Sequence, residues 1–219
     1  MSEAAAQMHA YYAQRASYYD AVYERPERQD DIRVVRELLP SAFAGRTVLE
    51  VACGTGYWTP SIAETAASVT ATDGTLEPLA VARSRPGNEK VRFELADAYT
   101  LAGTLGVFQG AFAGLWLSHV PVADRARFFS SLHARLSPNA RVILMDNNEV
   151  QLRDFPIVET DSDGNTYQLR TLRDGSVHRV LKNFPKPVDL HNMVAGVAAS
   201  VKVQELQNFW LMEYTLSEA

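Results

Sequence analysis

The stretch TVLEVACGTGYWT, residues 47–59, decides how the whole chain is read. Its first five residues, Thr47, Val48, Leu49, Glu50 and Val51, are the short β-branched run of a buried strand. Cys53, Gly54, Thr55 and Gly56 then supply a turn, and a helix is expected over residues 57–67. A strand that turns through glycines into a helix lets the backbone come close to a ligand. The first free N–H groups of the helix then point at it. A dinucleotide fingerprint would carry a third glycine three residues after the second, to pack helix on strand beside a pyrophosphate. That position is Thr59, and Glu50 places a carboxylate inside the strand. Such a carboxylate is poorly matched to a pyrophosphate and suits a nucleoside-like ligand that carries positive charge.

Outward from this stretch the pattern alternates. On the N-terminal side, residues 3–24 lack Gly and Pro and read as a helix. Residues 27–39 carry Ile32, Val35, Leu38 and Leu39 at helical spacing, with Pro40 and Gly45 closing the segment. On the C-terminal side come a strand at 68–72, a helix at 76–85 and a strand at 90–96. A near-continuous apolar strand at 111–118, a helix at 122–136 and a fifth strand in SPNARVILMDN follow. Strand–helix alternation of this kind predicts an α/β fold, a doubly wound, mostly parallel seven-stranded sheet. After residue 147 the rhythm changes. Residues 166–183 form two alternating segments around Asp174-Gly175, a hairpin signal; residues 186–199 read as a helix, and the tail supplies two antiparallel edge strands. One domain over 1–219 is expected: an N-terminal helical lid (1–40), a ligand-binding core (46–147), an insert with hairpin (148–186), then the last helix and edge strands (187–219).

Composition narrows the class. Apolar residues at 47% and charged residues at 21% are ordinary for a soluble globular chain. A net charge of −5 argues against nucleic acid as the main partner. One cysteine precludes an internal disulfide or a cysteine zinc site, which fits a cytoplasmic location. The N-terminus has no secretory pattern and no window is apolar enough to span a bilayer, so no membrane partner is expected.

In open α/β sheets ligands sit beyond the carboxyl ends of the strands. Asp73 ends the second strand, at the distance from the glycine turn expected of an acid that grips ribose hydroxyls. Asp97 ends the third and can accept from an adenine amino group, with the Ala98 N–H beside it. Ser118 and His119 end the fourth. Any one of these acids alone reads equally well as a helix cap; three of them (Glu50, Asp73, Asp97) on successive strands do not. His119 is either a general base or a donor that orients a substrate. Tyr11, Tyr12, Arg15, Tyr18 and Tyr19 make either a core-covering amphipathic face or a lid over the site. Trp58 either lines the cavity or packs. Arg170, Arg173, Arg179, Lys182 and Lys186 stand against a single acid, Asp174, in the hairpin region. They are either solvated edge charges or an anion pocket.

These motifs resemble the class I S-adenosylmethionine-dependent methyltransferases, specifically the small-molecule enzymes of type 11/12. The resemblance runs from YYAQRASYYD (11–20) through EVACGTG (50–56) to the last strands. Within that family the chain is most similar to phosphonate O-methyltransferases. The shared stretches are GTGYWT (54–59), WLSHVP (116–121, with Ala there for Ser118) and the RTLRDG…RVLKNF hairpin (170–184). The resemblance implies a Rossmann-like methyltransferase fold that uses S-adenosyl-L-methionine, leaves S-adenosyl-L-homocysteine and needs no metal. It implies cofactor contacts from Tyr12, Arg15 and Tyr19 of the lid, and from Glu50, Ala52, Gly54, Gly56 and Trp58. Asp73, Gly74, Asp97, Ala98, Tyr99 and Ser118 complete that set. Tyr11, Trp116, His119, Arg170, Arg179 and Lys182 would surround an anionic acceptor together with Tyr12 and Arg15, with His119 the catalytic candidate. The insert NNEVQLRDFPIVETDSDGN (147–165) matches no motif and lies where acceptor contacts vary. The expected activity is methyl transfer to an oxygen of a small anionic metabolite, by a monomer or homodimer. N-methylation of an amine or heterocycle, and a non-catalytic S-adenosylmethionine-binding protein, stay open as alternatives. A nicotinamide-dependent oxidoreductase is disfavoured by Thr59 and Glu50.

Overall fold

Two sheets organise the computed structural model, which describes residues 3–88, 90–104 and 106–218. The larger has seven strands: β1 (Thr47–Val51), β2 (Ser68–Asp73), β3 (Val91–Leu95), β4 (Phe108–Gly114), β5 (Leu136–Asn147), and, at the far edge, β9 (Ala198–Glu205) and β10 (Phe209–Leu216). Their order across the sheet is β3-β2-β1-β4-β5-β10-β9. β1 to β5 run parallel, while β10 is antiparallel to both β5 and β9. The smaller sheet is antiparallel, in the order β6 (Glu159–Thr160), β7 (Thr166–Thr171), β8 (Val177–Leu181).

The helices are α1 (Glu3–Arg15), α2 (Gln29–Phe43), α3 (Thr59–Ala63), α4 (Leu76–Arg83), α5 (Arg125–His133) and α6 (Pro187–Met193). Strand residues alternate between two cores because successive side chains leave opposite faces of a sheet. Leu49, Val51, Ala111, Ala113, Val142 and Leu144 meet Phe128, Phe129 and Leu132 of α5 and Leu190 of α6 on one face. Val48, Phe112, Ile143 and Met145 meet Ile32, Val35, Leu39 and Phe43 of α2 and Ile62 of α3 on the other. With both faces covered, the central strands read as nearly continuous apolar runs, interrupted in β1 by Glu50.

Several boundaries depart from the sequence expectation. The first helix stops at Arg15, and residues 16–22 continue as a 3-10 segment with Tyr18 at φ −134°. Asp20 explains the change: its carboxylate accepts from Thr55 Oγ1 at 2.6 Å and from Arg85, which draws the chain across the sheet ends. α2 runs through Pro40, which stands in its last turn, to Phe43, whose ring is fully buried in the core and anchors the end of the helix. Its buried Asp31 accepts from the Gln207 and Asn208 N–H groups and so holds the β9–β10 turn. α3, α5 and α6 are shorter than expected, α6 because β9 must begin by Ala198 to pair with Leu216.

The fourth strand is shifted. It occupies 108–114 rather than 111–118, because Ala111 and Phe112 align with Leu49 and Glu50 of β1. The chain then leaves the sheet through Leu115 at φ +57°, and residues 117–119 form a 3-10 turn. Ser118 and His119 therefore sit on that turn beyond the strand end.

Candidate active site

The strand order reverses between β1 and β4, and a cavity of about 700 Å³ opens beyond the carboxyl ends there. Its floor is the turn after β1. Ala52 and Gly54 take positive φ of 53° and 57°. A Cβ on Gly54 would meet nothing within 4 Å, so the turn leaves open space where a ligand can approach backbone. Gly56 is different: a Cβ there would fall 2.8 Å from that of Ala82, so this glycine brings α4 close. It does not line the cavity.

Glu50 lines the floor with 1% exposure, and Thr59 Oγ1 donates to its Oε2 at 2.6 Å. The residue that replaces the third glycine thus bonds the acid. Burial pushes the Glu50 carboxyl up to about 8, against the Thr59 bond and aided by nearby Asp73. A carboxylate in that state is stabilised by a cation beside it. Asp73 accepts from the Gly54 and Thr75 N–H groups, both at 2.9 Å, so it shapes the turn as well as lining the cavity. Asp97 accepts from the Tyr99 N–H at 2.8 Å, on the same wall as Ala98 and Tyr99. Gly74, Trp58, Trp116, Tyr12, Tyr19 and His119 also line this space. Trp116, expected beside an acceptor, packs against Tyr99 on the Asp97–Tyr99 wall of the larger cavity, with ring centroids 5.9 Å apart.

A second, smaller cavity of about 60 Å³ adjoins the first; Tyr12, Tyr19, Leu115 and His119 line both. Tyr11, Arg15, Arg28, Arg170 and Lys182 also line it, with Arg25, Asn147, Gln151 and Phe155. Its charges divide into two groups. Arg25 pairs with Asp154, and Lys182 Nζ lies 2.9 Å from Asp146 Oδ1. Arg15, Arg28 and Arg170 have no ion-pair partner among the described residues. Arg15 donates to Tyr11 OH at 2.8 Å, and Arg170 to Gln168 Oε1 at 2.6 Å while lying 3.5 Å from the Phe155 ring centroid. Arg28 is 5% exposed; it donates to Val22 O at 3.1 Å, and its Nε has no hydrogen-bond partner among the described residues. Burial lowers the affinity of Arg28 and Arg170 for their protons.

His119 sits at the junction. Leu181 O lies 2.7 Å from Nδ1, and Tyr12 OH lies 2.7 Å from Nε2. A carbonyl can only accept, so Nδ1 carries the proton and Nε2 takes the tyrosine hydroxyl. Burial first and the Lys182 ammonium second hold this imidazole neutral, well below its ordinary range.

Besides Gly56, two expected residues are placed elsewhere. Arg179 forms a bidentate pair with Glu159 at 2.8 and 2.7 Å and stacks on Tyr167. It lines neither cavity, because the strand register sends it to the opposite face from Arg170. Ser118 also lines neither; its hydroxyl accepts from Lys182 Nζ at 2.6 Å. Sequence reasoning missed Arg25, Arg28, Asn147 and Gln151. The unmatched insert at 147–165 was the only signal for the last two, and the arginines before α2 carried none.

A methyltransferase-domain family profile matches residues 48–153. No curated protein sequence matches. Among solved structures, the chain is similar to DhpI in complex with SAM and HEP, at 30% identity, covering 98% of this chain and 99% of that one, with a TM-score of 0.80. The DhpI complex with SAH gives 28% identity, full coverage of both chains and a TM-score of 0.81. The N-methyltransferase NodS from Bradyrhizobium japonicum WM9, bound to S-adenosyl-L-homocysteine, shares the fold at 13% identity, 97% and 100% coverage and a TM-score of 0.69. Near-complete overlap with DhpI, a buried carboxylate under the glycine turn and the strand order together lead to one family: the chain is an S-adenosylmethionine-dependent methyltransferase.

Proposed function

We propose that this enzyme methylates an oxygen of a small anionic metabolite of the phosphonate kind, docked in the smaller cavity. The observation that carries the reading is the set of three guanidinium groups, Arg15, Arg28 and Arg170, that line a space of about 60 Å³ without a carboxylate partner among the described residues. Burying cations without counter-charge is costly, and an oxyanion in their midst removes the cost with bidentate hydrogen bonds. The volume suits one anionic head group, and its opening onto the larger cavity brings that group to the cofactor side. DhpI, which has been seen with SAM and HEP, supports the same class. An amine acceptor would meet repulsion here, so the pocket disfavours N-methylation.

In the larger cavity Glu50 and the glycine turn hold the methionine end, Asp73 the ribose and Asp97 with Ala98 the adenine. S-adenosylmethionine supplies a methyl group already activated on a sulfonium. The chain's task is to align an ionised oxygen with it and exclude water. Such an oxygen has no proton to lose, and a histidine held neutral by burial is a weak base. Tyr12 and His119 act as one unit that shapes the junction and orients the acceptor.

The test is Arg170→Ala with methylphosphonate as acceptor and methyl-labelled S-adenosylmethionine. KM for the acceptor should rise at least about tenfold, while the cofactor Kd from calorimetry changes less than about twofold. Equal losses in both would remove the anion pocket from this reading.

A further inference from the structure

A buried carboxylate that touches neither cavity governs both sides of the junction. Asp146 is the penultimate residue of β5, after the apolar run Val142, Ile143, Leu144 and Met145, and is wholly buried. Its Oδ2 accepts from the Ser118 N–H at 2.9 Å, and its Oδ1 from the Asn147 N–H at 2.8 Å and from Lys182 Nζ at 2.9 Å. Ser118 is the residue before His119. Lys182 is the residue after Leu181, whose carbonyl takes the His119 Nδ1–H. One carboxylate therefore clamps the chain next to both partners of that bond. Two further bonds tighten the clamp: Asn183 N–H donates to Ser118 O at 2.8 Å, and Lys182 N–H to Thr166 O at 2.8 Å.

We propose that Asp146 is a positioning residue for methyl transfer: through Ser118 and Lys182 it fixes the His119–Leu181 bond, and with it the direction of Nε2 at the junction. It also sets how Lys182 faces the smaller cavity. Two of the three ammonium N–H groups go to Asp146 and Ser118, which leaves the third for an acceptor oxygen. This last part rests on the acceptor reading above; the part about His119 does not. A buried ion pair is weak evidence of stabilisation, since an apolar pair of similar volume often does as well. Its retention among apolar neighbours is better accounted for by geometry.

The groups that face Lys182 are Asp146 from β5, His119 from the turn after β4, Arg170 from β7 and Arg28 from before α2. Among these groups only Asp146 carries a charge that favours the ammonium, beside the neutral Ser118 hydroxyl. Without it, Lys182 loses its proton at lower pH, so anion affinity falls as pH rises.

The test uses the full-length enzyme loaded with S-adenosylhomocysteine. Imidazole nitrogen NMR of the wild type should show His119 protonated at Nδ1 alone. In Asp146→Asn both tautomers should be populated, with the S-adenosylhomocysteine Kd changed less than about twofold. With methylphosphonate, kcat/KM should fall about 10- to 100-fold, the span typical of residues that orient a first contact shell. The loss should deepen with rising pH, as it does not in the wild type. Adding Lys182→Met to Asp146→Asn should cost far less than the sum of the single effects. Should Asp146→Asn not fold, Asp146→Leu with Lys182→Met replaces the ion pair by an apolar pair of similar volume, removes the clamp without stranding a charge, and should give the same tautomer change. An unchanged His119 signature in the folded variants overturns the proposal. So does a loss of S-adenosylhomocysteine affinity as large as the loss of turnover. A tautomer change in an enzyme whose wild type neither binds nor methylates methylphosphonate upholds the role of Asp146 and removes the acceptor reading instead.

Discussion

Glu50 shows at the scale of one residue how a site can be stored in a fold at the fold's expense. Its carboxyl is lifted by burial from an ordinary 4.5 to about 8. A carboxyl raised in the folded state gives its full support below the unfolded value, near pH 4.5, and that support is lost as pH rises through about 8. Ligand-free enzyme should therefore lose stability across this window. Glu50→Gln keeps an oxygen for the Thr59 hydroxyl and removes the charge. It should raise stability in chemical denaturation by about 1–3 kcal/mol above pH 8 and have little effect near pH 5. The same substitution should weaken S-adenosylmethionine binding at least about tenfold. Wild-type affinity should rise with pH toward about 8, as the carboxylate forms, and a flat pH profile would show that Glu50 does not face the cationic end.

Among elements, the 3-10 segment at 16–22 does the most with the least secondary structure. It carries Tyr19 into both cavities and is tied to the core by Asp20, which accepts from Thr55 beside the glycine turn and from Arg85 after α4. Of the residues in these ties, Thr55 lines the larger cavity, as does Tyr19 beside Asp20. Asp20→Asn keeps the shape of the side chain and gives up the charge-assisted half of the contact. S-adenosylhomocysteine should then dissociate about 3- to 10-fold faster in stopped-flow displacement. An unchanged off-rate would mean that the segment does not restrain the ligand. The hairpin is the second instructive element. A two-residue turn at Asp174-Gly175 would set Arg170 opposite Arg179. The observed pairing sets Arg170 opposite His178 and Leu169 opposite Arg179. A register change of one residue moves every side chain of a strand to the other face. Gln168, Arg170, Val180 and Lys182 thereby turn inward together, and Arg179 turns out to Glu159.

The molecule as a whole places two cavities end to end at the reversal of strand order, with Tyr12, Tyr19, Leu115 and His119 as a shared wall. A wall common to two sites couples them, because a ligand that orders it on one side lowers the cost of ordering it for the other. Methylphosphonate should bind at least about fivefold more tightly with S-adenosylhomocysteine present, by calorimetry, with the reciprocal effect on S-adenosylhomocysteine. Equal affinities in the two experiments would show the cavities to be independent.

The amino-acid sequence alone determined the parts that depend on local periodicity and turn chemistry. The strand–turn–helix at 47–59, the acids at the ends of β2 and β3, the parallel sheet with its antiparallel edge and the hairpin around Asp174-Gly175 all follow from spacing that one segment contains. Only the tertiary structure decided which charges are spoken for. Lys182 has Asp146, Arg25 has Asp154 and Arg179 has Glu159, partners 36, 129 and 20 residues away. Arg15, Arg28 and Arg170 come together from three separate elements. Whether a cation is neutralised or left for a ligand depends on which distant carboxylate the packing brings within reach, and periodicity holds no record of that distance.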